Sequence, residues 1–377
     1  MVATDKSAAS AGQPSSALSI ELGYTCNQAC AYCYNPSRGS RGALPQITAN
    51  NAPTADLLLR RVARLLAAWN ITSLTVTGGE PLRHPALFPV LDGVAFAGKP
   101  LQLITNGTLV TDAVAKRLAE YRLAAVQITL NGATRELHSE HVGRDSFDEA
   151  IRGATALVAA NVPLTGCIVV TRQNAEHVAA IVELWRGIGA KQIALSRFSP
   201  AGMSLERMQS WLPRRRDLLT AFEQAQPFAR AGLPISCTVP VPACLLDQSL
   251  FAPIEFGQCA IGSPYQEFAL GPDGALRLCT LHAGRLAGGR DVLDETWDLA
   301  TVVNSAEVAE YRSHLPEFCQ GCAVAPSCLG GCGASSRYRG DGLPRALDPL
   351  VQQYFAVEPS PQLLPSVRAR TSVGAEP

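Results

Sequence analysis

The chain has no excess charge: 32 Lys and Arg residues are matched by 32 Asp and Glu. That balance gives no electrostatic basis for holding nucleic acid. Its Ala- and Leu-rich segments are broken by Arg, Asp, Gln and Pro, so no apolar run approaches the roughly 20 residues needed to cross a bilayer. The first residues, MVATDKSAASAGQPSS, lack the apolar stretch of a secretory signal. The 12 cysteines therefore read as thiols of a reducing cytoplasm rather than as a disulfide framework. No GxGxxG turn opens the first helix, which argues against a Rossmann arrangement. What remains is a chain of 377 residues, 47% apolar, able to bury a large core and to divide into two domains.

Residues 1–17 are rich in Ala, Ser, Gly and Pro and read as a disordered N-terminus, with order expected from Leu18. Strand-like segments follow at LSIELGYT (18–25), ITSLTVT (71–77), LQLIT (101–105), AAVQITL (124–130), LTGCIVV (164–170) and KQIALSRF (191–198). Helix-like segments at 51–69, 112–121, 146–160, 175–187 and 214–230 alternate with them, and Ser146 is placed to cap one, with Glu149 three residues on. This alternation predicts an α/β fold: a partial (β/α)6 TIM-like barrel over 18–236, open rather than closed, with its functional loops at the strand C-terminal ends. From 237 to 346 the chain is rich in Gly, Pro and Cys with only short strand-like pieces, YQEFAL and ALRLC. Such a region would have a thin core of its own, and metal cross-links would order it. Residues 347–377 read as a short helix followed by a tail.

The stretch CNQACAYC places Cys26, Cys30 and Cys33 in the loop after the first strand. A tetrahedral zinc site asks for four ligands and disulfides for an even number, whereas three soft thiolates on a metal cluster leave one position open. One strand later Gly78, Gly79, Glu80 and Pro81 follow ITSLTVT in the same phase. The CxxxCxYC loop and the GGEP turn together resemble the radical S-adenosylmethionine superfamily. That resemblance implies a [4Fe–4S] cluster on Cys26, Cys30 and Cys33, with Tyr32 as the aromatic residue before the last cysteine. It further implies S-adenosylmethionine on the open iron, its methionyl amine held by Gly78, Gly79 and Glu80. Asn106 and Thr129, at the ends of later strands, are weaker candidates for contacts to the ribose and methionine. Arg144 is a candidate partner of the methionine carboxylate, and Arg197 is expected to face the same mouth.

Seven further cysteines occupy 244–332: Cys244, Cys259, Cys279, Cys319, Cys322, Cys328 and Cys332. Gly274 lies five positions before Cys279, and the last group reads CxxCx5Cx3C. This pattern resembles the SPASM extension, which implies a small iron–sulfur domain with one or two auxiliary [4Fe–4S] clusters. By that resemblance Cys259, Cys279 and Cys332 serve the first cluster with Cys244 as the preferred fourth ligand, and Cys319, Cys322 and Cys328 serve the second. The second then lacks its usual later cysteine, because none follows Cys332; Asp, His, water, substrate or Cys237 could stand in. A two-site zinc reading of these thiols stays open. Cys167, inside an apolar strand, reads as a buried small side chain.

The resemblance implies that a 5′-deoxyadenosyl radical removes a hydrogen atom and that the enzyme oxidatively modifies or cross-links a ribosomally made peptide. The alternative is a dehydrogenase, epimerase or other tailoring enzyme acting on a small metabolite. About 17 residues precede the first expected strand, so a peptide substrate is expected to need a separate recognition protein, a leaderless route or docking on the SPASM face. Flavodoxin or ferredoxin is the expected electron donor, and neither a membrane nor a nucleic-acid partner is expected.

Overall fold

The computed structural model describes residues 15–36, 38, 52–201, 204, 207–263, 265–313, 315–337 and 347–357. Its centre is a parallel run of strands: β1 (Ser15–Glu21), β2 (Asn70–Thr77), β3 (Leu101–Thr105), β4 (Ala125–Thr129), β5 (Leu164–Val170) and β6 (Gln192–Arg197). The helices between and after them are α1 (Ala55–Ala68), α2 (Leu87–Ala95), α3 (Asp112–Ala119), α4 (Arg135–Val142), α5 (Phe147–Ala159), α6 (Val178–Ile188), α7 (Met208–Trp211) and α8 (Arg215–Arg230). Thr54, Thr111 and Thr134 cap α1, α3 and α4, each accepting a backbone N–H of the first turn on its hydroxyl. Ser146 precedes α5 but makes no cap; its hydroxyl instead accepts the Gln28 side-chain amide at 3.0 Å. Among the described residues no helix is long and apolar enough to cross a membrane.

One expectation is corrected. The first strand starts at Ser15, ahead of Leu18, because Ser15 and Ser16 pair with Asn70 and Ile71 and the Ala17 N–H reaches Gln266 O at 2.8 Å; residues 1–14 lie outside the described part. The cysteine-rich region that follows the barrel extends its sheet at both edges. It adds β7 (Ile235–Cys237) and β8 (Glu255–Phe256) beyond β6, and β9 (Glu267–Leu270) and β10 (Leu276–Arg277) beyond β1. The result is an open ten-stranded sheet in the order β10-β9-β1-β2-β3-β4-β5-β6-β7-β8, parallel except at β9–β10. One apolar core runs from Leu18 to Val351, so this half needs no separate one. Helices α9 (Ala306–Ser313), α10 (Ala325–Cys328), α11 (Gly333–Arg337) and α12 (Pro349–Val357) complete the chain.

Strand register sorts the side chains into two faces. Leu18, Leu74, Leu101 and their row partners Val76, Leu103, Val126, Ile128 and Gly166 face the helices and are buried. A Cβ on Gly166 would come within 2.5 Å of the Trp185 ring of α6, so only glycine lets that helix lie this close. The alternate row, including Thr75, Gln102, Gln127, Thr129 and Val169, faces inward and stays partly accessible. The concave face is thus a polar chamber rather than a packed interior.

An ion pair closes the wall at β10. Arg277 bonds Glu21 of β1, with both side chains 1% exposed, and also donates to Thr280 O and His282 O at 3.2 and 3.1 Å. Breaking a buried pair strands the remaining charge, at a cost of about 3–5 kcal/mol. Arg277→Met should therefore lower the unfolding free energy by about that amount in anaerobic urea titrations. The Glu21→Gln/Arg277→Met double variant should recover part of it; a single variant as stable as wild type would show that the pair is dispensable.

Candidate functional site

The chain leaving β1 is zipped to the chain leaving β2. Leu22 N–H reaches Thr77 O at 3.1 Å, Gly79 N–H reaches Gly23 O at 2.7 Å, and Glu80 N–H reaches Thr25 O at 2.9 Å. Both glycines are required by this approach: a Cβ on Gly78, whose φ is +143°, would meet Gly23 O at 2.4 Å, and one on Gly79 would meet Thr25 O at 2.3 Å. The cysteine loop then crosses to the C-terminal end of α4. There Ala29 N–H bonds Val142 O at 3.0 Å and Ala31 N–H bonds His141 O at 2.8 Å, two of the carbonyls a helix end leaves unpaired.

This clamp brings Cys26, Cys30 and Cys33 within electrostatic range of one another. Burial, then the neighbouring Cys33, pushes the Cys30 thiol well above its usual range; burial does the same to Cys33. Donors surround the sulfurs. Gln28 N–H lies 3.5 Å and Asn106 Nδ2 3.9 Å from Cys26 Sγ, and Arg38 Nη1 lies 4.0 Å from Cys33 Sγ. Burial pulls the Arg38 guanidinium down, yet the three thiols outweigh it and hold it above its ordinary value. N–H groups and a guanidinium aimed at three thiols suit deprotonated thiolates. The donor set therefore fits an iron–sulfur cluster held on three sides. Among the described residues no His, Cys, Asp or Glu side chains group as a site for a single metal ion.

Glu80 sits beside this loop, 2% exposed, accepting Thr105 Oγ1 at 2.6 Å, Leu82 N–H at 3.0 Å and Asn106 N–H at 2.7 Å. Burial raises its pKa and the three donors oppose the rise. Asn106 also donates to Asn27 Oδ1 at 2.8 Å, so Gly78, Gly79, Glu80, Asn106 and Cys26 form one connected cluster. Arg144 reaches Asn27 O at 3.4 Å and pairs with Glu149 at 2.6 Å, at the rim of the same loop. Tyr32 bonds Cys30, and its ring lies 6.5 Å from that of His141. Thr129 faces the chamber, its hydroxyl against the Cys167 thiol across the β4–β5 pair. Arg38, Gln28 and Asn27 were not anticipated, because nothing in a lone Arg or Asn near cysteines marks it as a donor to them.

Arg197 does not face the mouth. It is paired in register with Val170, on the helix-facing row, and is fully buried against Asp348 while donating to Pro240 O at 2.7 Å. Asp348 in turn accepts the N–H of Cys332 at 2.8 Å and of Leu350 at 3.0 Å. Arg197 thus anchors the last cysteine segment to β6.

The remaining thiols fall into two groups. Cys279 lies among Cys332 and Cys259. Cys244 lies among Cys328, Cys319 and Asp348, away from the set for which it was expected. The cause is the turn at Val241–Leu245, which packs against Gly331: a Cβ there would meet Asp348 Oδ2 at 2.5 Å and Pro242 Cγ at 2.8 Å. Cys322 follows Cys319 in a tight turn, its N–H on Cys319 O at 3.2 Å. Cys237 ends β7 and turns its thiol to Val239 O at 3.3 Å.

A sequence profile of the Radical SAM superfamily matches residues 20–184, the segment holding the cysteine loop, the GGE turn and β2–β5. Over that segment the chain is similar to the radical SAM superfamily. A probable GTP 3′,8-cyclase of Saccharolobus islandicus (strain Y.N.15.51 / Yellowstone #2) is 30% identical over 194 residues, 51% of this chain and 60% of that one. The chain therefore spans about 60% of the length of these cyclase relatives. The mycofactocin maturase MftC of Mycobacterium tuberculosis is 26% identical over 347 residues, 86% of this chain and 79% of its own. Among solved structures, Streptococcus suis SuiB bound to precursor peptide SuiA superposes with a TM-score of 0.70 at 18% identity, over 90% of this chain and 76% of SuiB. AdoMet-bound anSMEcpe gives 0.66 at 20%, over 90% and 94%. Both share its fold.

The clamp on the cysteine loop contains a pH-sensitive element. His138 of α4 is 1% exposed, neither ring nitrogen has a hydrogen-bond partner, and burial followed by the nearby His141 lowers its pKa from 6.5 to about 4. A histidine depressed in the folded state contributes stability above its unfolded pKa and loses it as pH falls from about 6.5 toward about 4. His138→Leu should flatten the fall in urea midpoint across that interval and leave the midpoint at pH 8 near wild type. An unchanged slope would place the sensitivity elsewhere.

Proposed function

We propose that the chain is a radical S-adenosylmethionine enzyme that oxidatively modifies or cross-links a ribosomally synthesised peptide. The observation that carries this reading is the convergence of Cys26, Cys30 and Cys33 on a ring of N–H donors beside Glu80 and Asn106, at the mouth of a polar chamber. When bound, a [4Fe–4S] cluster and S-adenosylmethionine would supply a 5′-deoxyadenosyl radical that removes a hydrogen atom from substrate. The three cysteines would hold the cluster, and Arg38, Asn106 and the Gln28 N–H would offset its thiolate charge. Gly78, Gly79 and Glu80 would receive the methionyl amine, Arg144 the carboxylate at the rim, and Thr129 would line the wall. The chamber's role is placement and exclusion of water from a reactive carbon.

The C-terminal cysteines would form a SPASM-like pair of auxiliary sites. Cys259, Cys279 and Cys332 supply three thiolates to one; Cys244 joins Cys319, Cys322 and Cys328 in the other, filling the place left by the missing later cysteine. Each site would accept an electron when a substrate radical becomes a closed-shell product. A flavodoxin or ferredoxin in the cytoplasm would reduce the radical site, and a separate protein would present the leader of a peptide substrate.

The peptide is preferred because similarity to MftC, whose name is that of a maturase, runs through both halves of the chain. SuiB and anSMEcpe, each solved with a peptide, share the fold across nine-tenths of it. The higher identity to the GTP 3′,8-cyclases favours a small-molecule substrate as the second reading, but that likeness covers only half of this chain.

Anaerobic reconstitution tests the centre. Three cubanes correspond to about 12 iron atoms per chain, against about 8 in a Cys26/Cys30/Cys33 triple Ala variant. Cys244→Ala should change the same electron paramagnetic resonance signal as Cys319→Ala, not that changed by Cys259→Ala. Zinc in place of iron, or no loss in the triple variant, would overturn the radical site. Deuterium transfer into 5′-deoxyadenosine from a small metabolite, and from no peptide encoded nearby, would overturn the peptide reading.

A further inference from the structure

The inward row of the wall from β10 round to β6 carries three charged side chains: Arg277, Glu21 and Glu267. Register fixes their common face. Leu18 pairs with Phe268, whose ring lies 5.0 Å from Trp69 on the helix side, so Glu267 and Ala269 point the other way, with Ser19 and Glu21. Glu21 is neutralised by Arg277. Glu267 has no such partner: among the described residues no Lys, Arg or His lies within 4.0 Å of it, and its one side-chain hydrogen bond is from the Ser19 hydroxyl at 2.5 Å. Everything else in that row is neutral, chiefly Thr, Gln, Ser and Ala. Among the described residues the wall from β10 round to β6 therefore carries one carboxylate with no cationic partner; Glu255, on the same row at the β8 edge, lies exposed to solvent.

Tyr34, directly after Cys33, hangs from the cysteine loop over this charge. Its hydroxyl bonds Thr77, and Glu21, Glu267 and Cys33 all lie within electrostatic range of it. A neutral aromatic ring near an uncompensated carboxylate is an environment suited to a cation, through charge pairing and attraction to the ring face.

We propose that Glu267, with Ser19 and Tyr34, forms a subsite of the chamber that binds an ammonium or guanidinium group of the substrate. This rests on the reading of the chamber as the substrate site, and it narrows the substrate class: a peptide bearing Lys, Arg or a free amino terminus, or an amine-bearing metabolite. Binding a cation relieves the cost of burying the carboxylate, whose pKa is raised by desolvation and held back only by Ser19. A neutral group in the same place would leave that cost unrelieved.

The test uses reconstituted protein loaded with S-adenosylmethionine and n-butylammonium as the probe, with n-butanol as its neutral counterpart. Saturation-transfer NMR should show butylammonium bound and butanol not, and Glu267→Gln should weaken butylammonium at least about tenfold, as expected for loss of a charge-assisted contact. Glu267→Asp, which keeps the charge, should retain part of the binding. Iron content and reductive cleavage of S-adenosylmethionine are measured on the same samples and should match wild type in both variants. Equal binding of the two probes, or undiminished butylammonium binding in Glu267→Gln, would overturn the subsite while leaving the radical assignment intact. Absence of iron and of cleavage in wild type would instead overturn the radical assignment.

Discussion

Cys26, Cys30 and Cys33 keep their places because the backbone around them is pinned from two directions. On one side the Gly79 and Glu80 N–H groups are spent on Gly23 O and Thr25 O; on the other the Ala29 and Ala31 N–H groups are spent on the last carbonyls of α4. A loop of this kind has no strand or helix of its own to fix it, and buried backbone groups must find partners. Here the partners come from β2 and α4, elements that are themselves packed into the core by Val76 and Val142. The thiols inherit the rigidity of the barrel without being part of it, and Glu80 and Asn106 are carried to them by the same contacts.

The period of two along the strands separates stability from chemistry. The helix-facing row is apolar and closed, and even its cation, Arg197, is fully paired with Asp348. The inward row is mostly polar, and Thr75, Gln102, Gln127 and Thr129 on it stay partly accessible, free to meet a substrate. Glu267 and Arg197 illustrate the contrast. Each is an ionisable residue on a parallel strand, but parity places one in the chamber and the other in the scaffold.

Much of this was legible in the sequence. The six central strands carry five to eight residues each, long enough for apolar alternation to mark them, and the cysteine loop and GGEP turn fell in phase with them. The strands β7–β10 hold only two to four residues, too few to show a period, and their place at the two edges of the sheet is a tertiary fact. That the cysteine-rich region extends the barrel's own sheet was for that reason not visible in the sequence. Arg197 was assigned to the mouth by its position at a strand end, since its face depends on a register that the sequence does not display. Ser146 had the spacing of a capping box, but its hydroxyl was claimed by Gln28, 118 residues away.

The partition of the C-terminal thiols has the same origin and a mechanical consequence. Chain order places Cys244 nearer to Cys259, yet the turn that carries it packs on Gly331 and brings it to Cys319 and Cys328. Two buried ion pairs then tie these sets to opposite flanks of the barrel. Arg277 of β10 binds Glu21 at the end of β1 and holds the carbonyls of Thr280 and His282 around Cys279. Arg197 of β6 binds Asp348, which holds the Cys332 N–H. An ionic contact is sensitive to direction and distance in a way apolar packing is not, so each pair fixes register between the barrel and a cysteine segment. Cys279 and Cys332, which lie together, are thereby tied to both flanks of the open sheet, which sets the distance between the chamber wall and that thiol set. For a reaction that passes an electron from a substrate radical to such a set, that fixed distance is the property the scaffold has to supply.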